Sequence, residues 1–406
     1  MMKKILLSCL LILLLYATVS CNDTSDDVMN NMDVLLYGSN YKFENTQVNH
    51  EYLAGMGTLF WERKENIDYN QALIAMKNLG VKSLRTWIHF KYLMIDPETI
   101  DREKADEMHK YLAKAINMGF QIIGMNHYSY HKSGYFAIGK VKRVNYENEN
   151  SVYKKWLRDY ETSWYTLAKE FPEITYWEID NELNNPDFMY IDGKKDSVLT
   201  LEEMAHISAD MLYYGSLGIH RANPNANTIL GGLVDSLGLG LGCMHNGVHV
   251  GNMKDFLELL YDVIDSGEHN SLYYDDFFQI AAWHPYYYNQ TADEYFVKEN
   301  NAIYDIILRR EGKNKKVFLT EFGWKDINTQ GQTAQFITDL YTILREKMPY
   351  VESLHYYLLF DDVNLKIETG LFNDPVVGGS PKESALAYQI VNNGDGTLIF
   401  DFSIKK

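Results

Sequence analysis

Tyr176-Trp177-Glu178-Ile179-Asp180-Asn181-Glu182-Leu183-Asn184 and Val317-Phe318-Leu319-Thr320-Glu321-Phe322-Gly323-Trp324 are two apolar runs that each end in a glutamate. Short β-branched and aromatic runs bounded by polar residues read as strands buried on both faces, the kind found in parallel sheets. When such a sheet closes into a barrel, the C-terminal strand ends converge on one mouth, and side chains there are placed for chemistry. A lone glutamate at a strand end could equally serve an ion pair; the occurrence of two, each closing its own strand, sets them apart.

Outward from these runs, strand and helix alternate between residues 46 and 391. Strands are expected at 52–58, 82–87, 121–126, 175–179, 228–232, 277–283, 316–321 and 353–359. Helical stretches fill most gaps: Ala72, Leu73, Ala75, Met76 and Leu79 recur at helical spacing before Gly80, and residues 152–170 and 333–347 are longer and amphipathic. Eight such units predict an α/β fold closed as a (β/α)8 TIM barrel. Beyond it, Asn393-Gly394-Asp395-Gly396 signals a turn, and residues 392–406 read as an extra C-terminal strand packed on the barrel.

The N-terminal end has another character. Lys3-Lys4, an apolar stretch from Ile5 to Ala17 and Thr18-Val19-Ser20-Cys21 form a secretory signal over residues 1–20, too short to span a bilayer comfortably. Val-Ser-Cys resembles a bacterial lipobox, with Thr18 where leucine is favoured, which implies acylation of Cys21 and a lipid anchor. The acidic run Asn22-Asp23-Thr24-Ser25-Asp26-Asp27 is similar to the export signal of Bacteroidota lipoproteins. It opens a tether over residues 21–45, with a short strand expected at 34–37. The implied location is the outer membrane or cell surface of a Gram-negative bacterium. With Cys9 in the signal and Cys21 acylated, Cys243 stands alone, so stability must come from the core, not from disulfides. Removing residues 1–20 takes away two lysines and no acid, so the formal charge falls from −17 to −19. That charge repels phosphate backbones and excludes nucleic acid as a partner. The 31 tyrosines offer flat faces and hydroxyls suited to sugar rings.

The two glutamates match one chemistry closely. Retaining hydrolysis of a glycosidic bond needs one carboxylic acid to protonate the leaving oxygen and one carboxylate to attack the anomeric carbon, roughly 5–5.5 Å apart. Like-charge repulsion between such neighbours favours one proton on the pair. Asn181-Glu182 after one strand and Thr320-Glu321-Phe322-Gly323-Trp324 on a later one resemble the fourth- and seventh-strand motifs of the clan A retaining glycoside hydrolases. Trp283-His284-Pro285-Tyr286-Tyr287 stands where families thirty-nine and five carry a His-x-Tyr. The resemblance runs from about Tyr52 to Val391. It implies Glu182 as general acid/base, Glu321 as nucleophile, Asn181 on the sugar 2-hydroxyl, Arg85 holding the nucleophile ionised and Tyr286 orienting it. His127 and His284 are implied substrate contacts, and Trp87, Trp61 and Trp324 are candidates for sugar stacking. The eighth strand lacks the clan's usual tryptophan, and Tyr357 or Phe360 is its possible replacement.

His127, Tyr128 and His131, or His245 and His249, lack the spacing of a zinc motif, and no Gly-rich phosphate loop or dinucleotide fingerprint appears, so neither a metal nor a cofactor is expected. The partner implied is an oligo- or polysaccharide. The rival readings are a non-catalytic glycan-binding lipoprotein, which needs no second carboxylate, and a transglycosylase using the same residues.

Overall fold

The computed structural model describes residues 53–58, 68–126, 142–186, 188–189, 199–237, 243–245, 248–250, 253–271, 273–287, 294–324, 331–362, 368–375, 379–398 and 402. The chain divides into residues 1–47 and 48–406, and all the described residues lie in the second unit. The expected signal, Cys21, the tether with its strand at 34–37, Trp61 and His127 lie outside the described residues.

Eight strands alternate with eight main helices: β1 Ala54–Thr58, α1 Tyr69–Asn78, β2 Ser83–Trp87, α2 Arg102–Asn117, β3 Gln121–Asn126, α3 Val152–Glu170, β4 Tyr176–Ile179, α4 Leu201–Ala222, β5 Asn227–Leu230, α5 Met253–Asp265, β6 Ile280–Tyr287, α6 Glu294–Glu311, β7 Lys316–Phe322, α7 Gln332–Lys347, β8 Val351–Tyr356 and α8 Glu383–Val391. Each strand pairs in parallel with the next, and β8 returns to β1, closing a (β/α)8 TIM barrel. Several helix starts are fixed by short polar side chains. Asp68, Asp101, Ser151 and Thr200 accept first-turn amides, and Thr200 forms a reciprocal capping box with Glu203. No helix among the described residues is long and apolar enough to cross a membrane.

The sixth strand starts later than its apolar pattern suggests, because Tyr274–Asp276 form a 3-10 turn and Phe277 and Phe278 are buried in the outer core before it begins. One further strand, Leu233–Leu237, lies outside the ring and pairs with residues 283–287 of β6. It continues the line of β5 after Gly231-Gly232. A β-carbon on Gly231 would lie 2.4 Å from the Ile179 carbonyl oxygen, and one on Gly232 would lie 2.2 Å from His284 Nε2, so side chains are excluded at both positions. The extra strand thus arises in mid-chain. Of the C-terminal strand expected over residues 392–406, residues 392–398 and 402 are described and lie in no strand. Phe402 instead packs edge-on against Phe360 and Phe372.

Two apolar layers hold the barrel. Ile123, Ile229, Ile280, Ala282 and Phe318 fill its interior with Tyr176 against them, while a larger cluster joins the outer strand faces to the helices. Farther along the same strands the inward positions turn polar: Tyr176 gives way to Glu178, Ala282 to His284 and Phe318 to Thr320. This change of character marks the floor of the mouth.

Candidate active site

Arg85 lies near the centre of the polar layer, inward-facing on β2 and almost fully buried. Its Nε donates to Glu178 Oε2 at 2.6 Å and its Nη2 to Glu178 Oε1 at 3.0 Å. Nη2 also reaches Asn181 Oδ1 at 2.6 Å, and Nη1 reaches Glu321 Oε2 at 3.1 Å. Burial alone would lower the guanidinium pKa, but the charges of Glu178 and then Glu321 outweigh it and hold it above its ordinary value. The arginine is a fixed positive charge joining β4 to β7. Glu178 also accepts from the Gly232 amide and the Thr320 hydroxyl, both at 3.0 Å, so this completely buried carboxylate is well satisfied.

Glu321 reaches the mouth through an irregularity. Strict alternation from Phe318 would turn Thr320 inward and Glu321 outward. The pairing of β7 with β8 slips between Leu319 and Phe322, with two residues opposing one, and this bulge lets consecutive side chains both face the site. Thr320 bonds Glu178, and Glu321 bonds Arg85 and the Tyr286 hydroxyl, which donates to its Oε1. Burial first, then the charge and hydrogen bond of Glu321, raises the Tyr286 pKa well above the ordinary tyrosine value, so the phenol remains a donor.

On the opposite wall, β4 ends in a sharp turn with Asp180 at φ 72° and Glu182 at φ 51°. Left-handed backbone at non-glycine residues costs of order 1–3 kcal/mol each, and local bonds hold it here. Asp180 Oδ1 accepts the Asn181 amide at 2.7 Å, and the Glu182 amide donates to the Gly232 carbonyl at 2.9 Å. The Glu182 carboxyl is held at both oxygens: His284 Nδ1 lies 3.1 Å from Oε1, and Asn185 Nδ2 donates to Oε2 at 2.7 Å. His284 Nε2 lies 3.2 Å from Thr320 Oγ1. An oxygen of Glu182, a ring nitrogen of His284 and an oxygen of Glu321 lie within 4.8 Å of one another. These are donor types that could ligate a metal, but Arg85 stands 3.1 Å from Glu321 and would repel a cation there. Arginine, tyrosine and paired carboxylates fit proton chemistry better.

The geometry therefore brings together Arg85, Asn181, Glu182, His284, Tyr286 and Glu321. Trp87 is half-buried at the end of β2, tilted against His89 with ring centroids 4.8 Å apart. Trp324 departs from its expected role as a sugar platform. It is 4 % exposed and stacks face to face on Phe336 of α7 at 4.5 Å, which makes it a core ring. Phe360 is likewise core, whereas Tyr357 is half-buried and close enough to Tyr286 to contribute to its raised pKa. His355 on β8 bonds Ser83 at 3.0 Å; burial and the nearby Arg85 lower its pKa to about 3, which keeps it neutral. Sequence reasoning passed over Glu178, Thr320 and Asn185. Glu178 could have been found as the one charged residue inside an apolar strand, four positions before Glu182.

No protein-family model and no curated protein matches the chain. Solved structures do share its fold. A family 39 glycoside hydrolase from the gut symbiont Bacteroides cellulosilyticus superposes with a TM-score of 0.55 at 18 % identity, over 85 % of this chain and 64 % of that one. A family 5 broad-specificity endoglucanase from Clostridium longisporum gives 0.55 at 13 % identity, over 86 % and 98 % of the two chains. A family 5 xyloglucan-specific endo-β-1,4-glucanase from a metagenomic library, solved with cellotriose, gives 0.53 at 16 % identity, over 80 % and 88 %. The chain thus spans less than two thirds of the first of these and most of the other two. Its structural neighbours are glycoside hydrolases of clan A, and at this identity the likeness is one of fold.

Proposed function

We propose that this chain is a retaining glycoside hydrolase that cleaves a β-linked glycan by double displacement. The carrying observation is the contrast in surroundings between two facing carboxyls. Glu321 accepts hydrogen bonds from Arg85 and Tyr286, which fix the orientation of its carboxyl, as a nucleophile requires. Glu182 sits across the mouth against His284, placed as the acid that protonates the leaving oxygen and then as the base that activates water. Asn181 gives its oxygen to Arg85, which turns its amide nitrogen toward a sugar 2-hydroxyl. Tyr357 is the aromatic surface we assign beneath the sugar before the cleaved bond.

The names of fold neighbours, two endoglucanases and an exo-β-1,4-mannosidase, make β-1,4-glucans, xyloglucan and β-1,4-mannosides the first substrates to screen. The test is release of reducing sugar by the purified protein, followed by NMR of the first-formed anomer. Retention supports the assignment, and an inverted first product overturns it.

The lipobox-like Val19-Ser20-Cys21 makes a surface-anchored lipoprotein the accompanying proposal. Cys21→Ser is expected to free the protein from membranes, because its acidic surface gives it no other affinity for them. A Cys21→Ser protein that still fractionates with membranes would refute the anchor.

A further inference from the structure

Thr320 has one hydroxyl hydrogen and two polar neighbours. Its Oγ1 lies 3.0 Å from Glu178 Oε1 and 3.2 Å from His284 Nε2. Glu178 is held by Arg85 and the Gly232 amide and can only accept, so the Thr320 hydrogen is directed to it. Oγ1 then meets His284 as an acceptor, which requires a hydrogen on Nε2. In a neutral imidazole that leaves Nδ1 as a bare lone pair, 3.1 Å from Glu182 Oε1. Two lone pairs at that distance repel, so a proton must lie between them. The other Glu182 oxygen already accepts from Asn185.

We infer that Thr320 is a positioning residue: by fixing the tautomer of His284 through Glu178, it stores on the Glu182–His284 pair the single proton that general-acid catalysis uses. The inference rests on the glycosidase reading for its kinetic consequence but not for the tautomer itself. Among the described residues, the charged and titratable groups around the pair include Glu178 on β4, Arg85 on β2, Tyr286 on β6, Glu321 on β7 and the neutral His355 on β8. Between them, Thr320 touches both His284 and Glu178 through one hydroxyl. Gly232 leaves it room, since a β-carbon there would lie 2.6 Å from Thr320 Oγ1.

Thr320→Val removes the acceptor from Nε2. The tautomer with hydrogen on Nδ1 becomes accessible, donates to the Glu182 carboxylate and favours its charged form, so the acid is lost at lower pH. The alkaline limb of kcat/KM should move to lower pH for Thr320→Val. The rate on an alkyl or sugar leaving group should fall by about tenfold or more, and by distinctly less on an activated aryl glycoside. Thr320→Ser keeps the hydroxyl and should restore the limb. Nitrogen-15 NMR of the imidazoles, assigned with His284→Gln, reads the tautomer whether or not a substrate is found. A protonated Nε2 in the wild type and its loss of preference in Thr320→Val are expected. A neutral wild-type His284 with its hydrogen on Nδ1 overturns the inference, as does an alkaline limb unmoved by Thr320→Val. An inactive wild type with Nε2 protonated would refute the glycosidase reading and leave the tautomer assignment standing.

Discussion

Arg85 grips Glu178 through two nitrogens, at 2.6 and 3.0 Å, and reaches Glu321 with a third at 3.1 Å. The guanidinium is thus oriented by a residue that takes no part in bond making, and its plane fixes where the proposed nucleophile sits. Lysine has one nitrogen and cannot span both carboxylates. Arg85→Lys is expected to lower kcat/KM by about 10²–10³, the usual loss when one preorganised donor is removed from a site. Glu178→Gln should leave the buried arginine underpaired and cost about 3–5 kcal/mol of stability, read by chemical denaturation. Wild-type stability and turnover in Glu178→Gln would show that the bridge is ornamental.

The two carboxylates should respond differently to an added nucleophile. Glu182→Ala still forms a glycosyl-Glu321 intermediate from an activated aryl glycoside, and azide then attacks it to give a glycosyl azide of retained configuration. In Glu321→Ala azide occupies the vacated position and gives the inverted azide. NMR of the products distinguishes them. The same stereochemistry from both variants would mean that the roles are misassigned.

Two tryptophans expected to stack on sugar should now separate. Trp87→Ala is predicted to raise KM by about fivefold with little change in melting temperature, because its half-buried ring stands at the mouth; stacking on one aromatic face contributes about 1 kcal/mol. Trp324→Ala removes a ring stacked on Phe336 in the core and should cost about 3–5 kcal/mol of stability. A Trp324→Ala protein of wild-type stability and raised KM would return that ring to the substrate.

The contrast shows what the sequence could convey. Strand ends were legible because period-two burial and apolar runs are local, and Glu182, Glu321, Arg85 and Tyr286 stood in recognisable phrases. Trp324 was not, since being three residues past Glu321 says nothing about Phe336, which joins it only when α7 folds back. The bulge that turns Thr320 and Glu321 to one side is set by β8, and Gly231-Gly232 had no visible purpose until His284 and Ile179 came against them. Cross-strand partners such as Glu178 for Arg85, 93 residues apart, are tertiary facts.

A second buried carboxylate gives a stability prediction outside the mouth. Asp210, on α4, accepts from Arg143 Nε at 2.9 Å, the Tyr153 hydroxyl at 2.7 Å and His269 Nε2 at 2.8 Å, joining α4 to α3 and to the stretch after α5. Burial by itself would raise its pKa, but the bond from His269 and the charge of Arg143 prevail and hold it below the ordinary carboxylate value. A carboxyl whose folded pKa is depressed contributes stability above its unfolded pKa and loses it as pH falls through the folded one. Asp210→Asn should therefore cost about 3–5 kcal/mol near neutral pH, where the wild type has the full contribution. The gap should narrow as acid protonates the wild-type carboxyl, below the ordinary carboxylate range. Turnover should be unchanged, since Asp210 and the three partners named here bond neither Glu182 nor Glu321. Denaturant titrations of both proteins across that range provide the check, and a gap that is constant with pH would mean that Asp210 contributes packing and not charge.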